Sequence, residues 1–234
     1  VPRATKQKEV RVSKGTRTRT LIKDAIVSLA HRKTWHDVTL VEICESTGLT
    51  AGAFYFHFAS KDEAMEEIAI DRLVFTFANI EAALAGVTDM YVAAHTVLRS
   101  YYDWYLKEPT LTPILYSIVQ ARPNVYKFWL ERRRPLRLLL QTIFLHARQA
   151  ANVPTGDEEF LSHWLMAAAE DFLLDVFFSS GNTELNALAG NADTFVRVQA
   201  NAWYRAVMGA QPEHPLSKPK RAAAAKAGRG AKAG

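Results

Sequence analysis

Seven histidines and a single cysteine, Cys44, are the side chains best suited to covalent or metal chemistry, yet their spacing supports neither. No His-x-x-x-His or Glu-x-x-His pair occurs, and there is no Gly-rich phosphate loop or Gly-x-Ser-x-Gly elbow. No catalytic residue, metal ligand or cofactor site is expected, and the chain does not read as an enzyme. Cys44 lies beside Ile43 on an apolar face and reads as core rather than as a redox sensor. The residues that do carry chemistry are hydrogen-bonding groups at helix ends. Thr39-Leu40-Val41-Glu42 is a capping box, in which the Thr39 hydroxyl accepts from the Glu42 amide and the Glu42 carboxylate reaches back. Val38 and Ile43 are placed to staple across that cap, and Gly48 supplies the left-handed residue that stops the helix. Thr50 caps the next helix with Leu49 and Phe54 as a second staple, and Ser60-Lys61-Asp62-Glu63 is another capping box. Lys61 falls in a first helical turn, where the macrodipole disfavours a cation; a phosphate at that end would reverse the sign. Gly52 costs its helix about 1 kcal/mol relative to alanine, which points to a close approach of backbone to DNA or to another helix.

Capped helix, glycine turn and capped helix between Thr39 and His57 make a helix-turn-helix, with Leu40 to Thr47 as its first helix and Ala51 to His57 as its second. The elements that must position it are also helical. Ile22, Ala25, Ile26, Leu29 and Ala30 recur at spacings of three and four, and predict a first helix from Thr16 that ends before Trp35. Further helices are expected over 60–84, 89–108, 112–121, 124–152, 155–180 and 184–208, the fourth of these kinked or broken at Pro135. No alternating strand pattern bounded by turns occurs, so the fold class is all-α with about nine helices. Charge is segregated along the chain. Residues 1–61 hold 11 Lys/Arg against 5 Asp/Glu, residues 62–210 hold 12 against 18, and residues 211–234 hold 6 against 1. Basic ends and an acidic body point to a polyanionic partner that the body avoids. The expected division is a flexible basic arm over 1–15, a helix-turn-helix domain over 16–62, a larger helical domain over 63–210 and a disordered Lys/Ala-rich tail over 211–234. No apolar run reaches the length of a membrane span and no secretory signal is visible. With one cysteine, a reducing cytoplasm is the expected location.

Residues 39–64 resemble the DNA-binding signature of the tetracycline-repressor (TetR) family, through the Gly-x-x-x-Gly-x-x-Tyr-x-His-Phe-x-x-Lys spacing of Gly48, Gly52, Tyr55, His57, Phe58 and Lys61. The resemblance spans about residues 16–65. It implies a transcriptional regulator that binds double-stranded operator DNA as a homodimer, with a small-molecule effector held in the larger domain. Thr39, Thr50, Ala51, Gly52 and Ala53 would then lie near helix starts or base edges, and Tyr55, His57 and Lys61 on backbone phosphates. Half-buried packing between helices is the other reading of Tyr55 and His57. Position 51, often polar in the family, is Ala here, so base reading there is limited to an apolar contact such as a thymine methyl.

The segment from Tyr101 to Phe178 is rich in rings. Each ring alone reads as core; together they suggest a pocket for an apolar or aromatic molecule, formed from Tyr101, Trp104, Tyr105, Tyr116, Trp129, Phe144, Trp164 and Phe172. Arg132-Arg133-Arg134 reads as a solvated face before Pro135, with an anionic ligand group or an acidic neighbour as the other readings. A dimer face is expected on the last two helices, from Leu161, Leu165 and Ala168 on one and Phe195, Ala202 and Ala206 on the other, pairing as a four-helix bundle. Asp171 and Asp175 read as paired with arginines or solvent at that interface. The rival to a sequence-specific regulator is an architectural DNA-binding protein of low specificity, suggested by the two basic ends.

Overall fold

A computed structural model describes residues 13–178, Ala187 and 190–209. The expected tail, most of the arm, and residues 184–186 at the start of the last expected helix lie outside the described residues. Within them the helices are α1 (Lys14–Ala30), α2 (Leu40–Thr47), α3 (Ala51–His57), α4 (Lys61–Ala83), α5 (Met90–Lys107), α6 (Leu111–Ala121), α7 (Pro123–Ala150), α8 (Glu158–Phe178) and α9 (Ala192–Met208). A single 3₁₀ turn, Trp35–Asp37, sits between α1 and α2, and no strand occurs among the described residues.

The local signals act as their chemistry requires. Thr39 and Glu42 form both halves of the capping box, and Gly48 ends α2 at φ 68°. Thr50 accepts from the Ala53 amide at 3.2 Å, and Ser60 from the Glu63 amide at 3.0 Å. At Ser60 the box departs from the expected form: Glu63 reaches back to the amide of Ala59, one residue earlier. Pro135 neither ends nor divides α7. Proline removes one hydrogen bond, to the Glu131 carbonyl, but buried Val125, Leu136, Leu140, Ile143 and Phe144 pin both halves of the helix to the body.

Two hydrophobic cores result. The smaller one gathers Ile22 and Ile26 of α1, Ile43 of α2, Phe54 of α3, Phe58, and Met65, Ile68 and Ala69 of α4. It is closed by two residues from far along the chain, Leu111 and Leu115 of α6. The larger core is built by α5, α7, α8 and α9 with the second half of α4. Trp104 packs against both. The helix-turn-helix head is therefore held from the body side by α4 and α6.

At the far end of the body Arg148, 5% exposed, ties three elements together. Its guanidinium donates to the Val207 carbonyl near the end of α9, to Asp157, and to Glu158 at 3.1 Å. Glu158 is itself buried, so removing the arginine leaves a carboxylate without its counter-charge. Arg148→Met is expected to destabilise the fold by about 3 kcal/mol, read as a lower urea midpoint at unchanged slope.

Candidate nucleic-acid interface and effector cavity

Helix α3 has seven residues, too few to be stable alone, so its placement depends on groups outside it. Phe54 and Phe58 are each 1% exposed and anchor one face in the smaller core. At its C-terminal end the His57 carbonyl accepts from Arg19 of α1, whose guanidinium also binds Glu67 of α4 and lies 4.1 Å from the centroid of the Phe58 ring. Lys23 adds a second bond to Glu67 at 3.0 Å. Burial works to raise the Glu67 pKa, but the hydrogen bonds from Arg19 and Lys23 outweigh it and hold the carboxyl below the usual range. The opposite face is open. Thr39, Thr50, Ala51, Gly52 and Tyr55 are exposed, Ala53 and His57 half-buried.

Two residues depart from the expectation. Lys61 does not extend toward solvent. Its ammonium donates to the carbonyls of Val38 at 2.6 Å, Trp35 at 3.1 Å and His36 at 3.4 Å, and sits 4.7 Å from the centroid of the Trp35 ring. The Trp35 carbonyl also accepts from the Val38 amide at 3.2 Å, the bond that closes the 3₁₀ turn, and one ammonium has the three N–H groups to reach all three carbonyls. No N–H is left for a phosphate, and the cation's place in a first helical turn is explained by the carbonyls it faces. The second residue is Phe56, which sequence reasoning passed over. It is 84% exposed, the most open large apolar side chain of the head. The signal was available: Phe54 and Phe58 are four apart and take the inner face, so Phe56 between them must point outward. Around Gly52 only the Thr50 hydroxyl comes near a built Cβ position, at 3.9 Å. No neighbouring helix therefore demands the glycine.

In the body, Tyr101, Trp104, Tyr105, Tyr116 and Trp129 come together around one cavity. Together with the open solvent at its mouth it spans about 650 Å³ of space not filled by protein atoms. Phe144 is not there; it is fully buried in the larger core. Phe172 instead stacks on Phe195, centroids 5.7 Å apart. Trp164, 52% exposed, lines a wider outer cleft that shares Tyr116, Trp129 and Glu170 with the cavity. Sequence reading missed Ala69, Arg72, Thr76, Thr112, Leu115 and Glu170 in the cavity wall, because small and polar residues on three separate helices carry no common pattern. Glu170 accepts from the Tyr101 hydroxyl at 2.8 Å, and Tyr105 donates to its backbone carbonyl at 3.2 Å. Burial pushes both phenols well above their usual range. The arginine run is not one solvated face: Arg133 is buried, Arg132 lies 3.7 Å from Glu81, and only Arg134 is exposed. A run of like residues cannot stay on one side of a helix that turns about 100° per residue.

The expected dimer stripe also divides. Leu161, Leu165 and Phe195 are buried inside this chain, whereas Ala168 and Ala202 are exposed and Ala206 is half-buried. Apolar periodicity marks which positions leave water, and here α5 and α7 fill that role for the large side chains. The exposed face of α8 carries Phe160, Trp164, Ala167 and Ala168 with Asp171; Asp175 is exposed as well. No group of three His, Cys, Asp or Glu side chains is placed to hold a metal ion, and no helix is long and apolar enough to cross a membrane, among the described residues.

Among the described residues the body is helical throughout and carries a capped helix-turn-helix on α1 and α4. Residues 22–68, which span most of α1, the helix-turn-helix and the start of α4, match the bacterial regulatory proteins of the tetR family. No curated protein matches the chain. Solved structures share the fold. The TetR family transcriptional regulator PfmR from Thermus thermophilus superposes at TM-score 0.60 with 17% identity, covering 79% of this chain and 97% of that one. The fatty acid degradation regulator FadR from Bacillus halodurans gives 0.59 and 12%, over 81% and 96%. The transcriptional regulator FadR from Bacillus subtilis, described in complex with stearoyl-CoA, gives 0.56 and 13%, over 77% and 97%.

Two outcomes follow for the head. Lys61→Met is expected to cost about 2 kcal/mol of stability, since a charged donor is lost from three carbonyls, while the salt dependence of DNA affinity stays unchanged. An unaltered melting curve with a reduced salt slope would place the ammonium on phosphate instead. The Glu42 carboxyl is held at about 2, against an ordinary 4.5, first by the Lys33 ammonium and then by the amide and hydroxyl of Thr39. A depressed pKa in the folded state stabilises above the unfolded value and is lost as pH falls through the folded one. The stability gap between wild type and Glu42→Gln is therefore expected to be full at pH 7 and to close between pH 4.5 and about 2, read by urea denaturation across that range.

Proposed function

We propose that this chain is a repressor that binds operator DNA as a homodimer and releases it when a small, largely apolar effector fills the cavity. The observation that carries the effector response is a shared wall. Ala69 and Leu115 belong to the core of the head and also line the cavity. A ligand pressing on Leu115 therefore presses on the packing that supports α3. A polar route runs beside it. Arg72, which lines the cavity, lies 3.7 Å from buried Glu108, and Glu108 lies 3.4 Å from the ring of His31 just past the end of α1. The relative captured with stearoyl-CoA supports a ligand in this body.

On the DNA side, the open face of α3 offers Ala51 and Phe56 for apolar contact with thymine methyls and sugars, Thr39 and Thr50 at the helix starts, and the Tyr55 hydroxyl for a phosphate. Gly52 and Ala53 let the backbone come close. His57 sits at the helix end, and its ring meets Phe56 edge-on at 5.2 Å. For the dimer, the exposed apolar residues Phe160, Trp164 and Ala168 of α8 and Val198, Ala202 and Tyr204 of α9 supply a surface for a four-helix bundle. The arm and the basic tail add sequence-independent attraction to phosphate.

The test is footprinting on DNA flanking the protein's own gene, with the operator then used for variants at fixed salt. Two symmetric half-sites separated by whole helical turns are expected, and equal affinity for operator and bulk DNA would favour the architectural role. Tyr55→Phe is expected to weaken operator and random DNA by similar factors. Phe56→Ala is expected to weaken the operator more and to relax base preference, at about tenfold per lost apolar base contact. Ala202→Glu is expected to sediment as a monomer and to lose operator binding. An effector that lowers operator affinity must itself bind the operator complex more weakly by the same factor.

A further inference from the structure

The cavity and the outer cleft adjoin each other, with Tyr116, Trp129 and Glu170 lining both. Arg133 stands where they meet, lining the cleft and lying 4.8 Å from the centroid of the Trp129 ring. Its side chain is 9% exposed. Two of its nitrogens, Nε and Nη2, are shut off from solvent and make no hydrogen bond. A buried guanidinium with two idle donors is rare, since the desolvation cost of each is uncompensated.

We infer that Arg133 is the anchor for a carboxylate, and that the effector is an organic acid whose apolar body fills the aromatic cavity. This rests on the effector reading above and adds the ligand's chemical class. The resident partner does not already fill the role. Glu170 lies 3.4 Å from Nη2 but out of line for a hydrogen bond, and one of its oxygens is taken by the Tyr101 hydroxyl. A guanidinium is a planar fork that matches a carboxylate with two parallel bonds. With its face on Trp129, its Nε–Nη2 edge is covered by neighbouring side chains, so an incoming carboxylate reaches it as Glu170 gives way. The alternatives fit less well. A ligand amine would compete with Arg133 for the place beside Trp129 and Glu170, and meet its positive charge there. A neutral hydrocarbon would leave both donors unpaired.

A second carboxylate near Glu170 is tolerable for a physical reason. The groups facing Glu170 are Tyr101 and Tyr105 from α5, Tyr116 from α6, Arg133 from α7 and its neighbour Asp171. Arg72 of α4 lines the same cavity but is turned to Glu108. Burial raises the Glu170 pKa more than Arg133 and Tyr101 lower it. Neutralising Glu170 is therefore easier than for an exposed glutamate, which favours transfer of Arg133 to the incoming acid.

The test uses the full-length dimer and matched probes: 4-phenylbutyrate and decanoate, their primary amides, and the corresponding amines, titrated by calorimetry and by tryptophan fluorescence. Each acid is expected to bind at least about tenfold tighter than its amide, with the amine weakest. Arg133→Gln is expected to erase the acid-over-amide preference while leaving amide affinity in place, and Arg133→Lys to keep part of it. Should Arg133→Gln fail to fold, the wild-type acid-to-amide ratio decides alone. Acid and amide binding equally would overturn the Arg133 anchor and leave the cavity as an effector site. Amines binding tightest would assign the site to cations through Glu170. If no probe binds at millimolar concentration, the cavity reading falls together with this one.

Discussion

Satisfaction of helix-end backbone groups is the constraint on which the head depends, because a helix as short as α3 leaves most of its amides and carbonyls without intrahelical partners. Thr50 takes an amide at one end, and Arg19 takes the His57 carbonyl at the other. Arg19 is fixed in turn by Glu67, so the end of α3 is referenced to α1 and α4 together. Lys61 does the same for the 3₁₀ turn that feeds α2. The open face of α3 is thereby oriented without spending any of its own side chains.

The second constraint is that the head has no closed core of its own. Leu111 and Leu115 complete it from α6, and Trp104 touches both cores. A boundary drawn through the chain near residue 62 separates two sequence patterns, whereas the packing runs across it along α4. Local sequence cannot place Leu115 in the head, since its partners lie far back along the chain.

What is legible in the sequence follows the range of each interaction. Thr39 with Glu42, Gly48 and Thr50 act within a few residues, so type and spacing are enough. The inward turn of Lys61 is not legible because its carbonyl partners lie more than twenty residues upstream, in a turn with no sequence signature. The aromatic cluster is legible as a composition and five of its rings do meet, but Phe144 and Phe172 turn to the core. Leu161, Leu165 and Phe195 do leave water, as their periodicity indicates; the surface they leave it against is not written in their own helices. Burial of Arg133 rather than Arg134 depends on helix phase against α8, a tertiary property.

The ion pairs of the head bear on how attraction and discrimination are divided. Arg19, Lys23 and Lys33 are each neutralised by a carboxylate of the same chain, and Lys61 is turned inward. Lys14, Arg17 and Arg32 lie at or beside the ends of α1, away from those carboxylates. Helix α3, Ala-Gly-Ala-Phe-Tyr-Phe-His, contains neither lysine nor arginine. If α3 enters the groove as proposed, counterion release would originate mainly at the edges of the head, because α3 brings no lysine or arginine of its own. On that proposal, rising ionic strength would loosen every DNA complex of this protein in parallel and leave the ranking of sequences nearly intact, since the helix proposed to do the ranking has no lysine or arginine charge to screen.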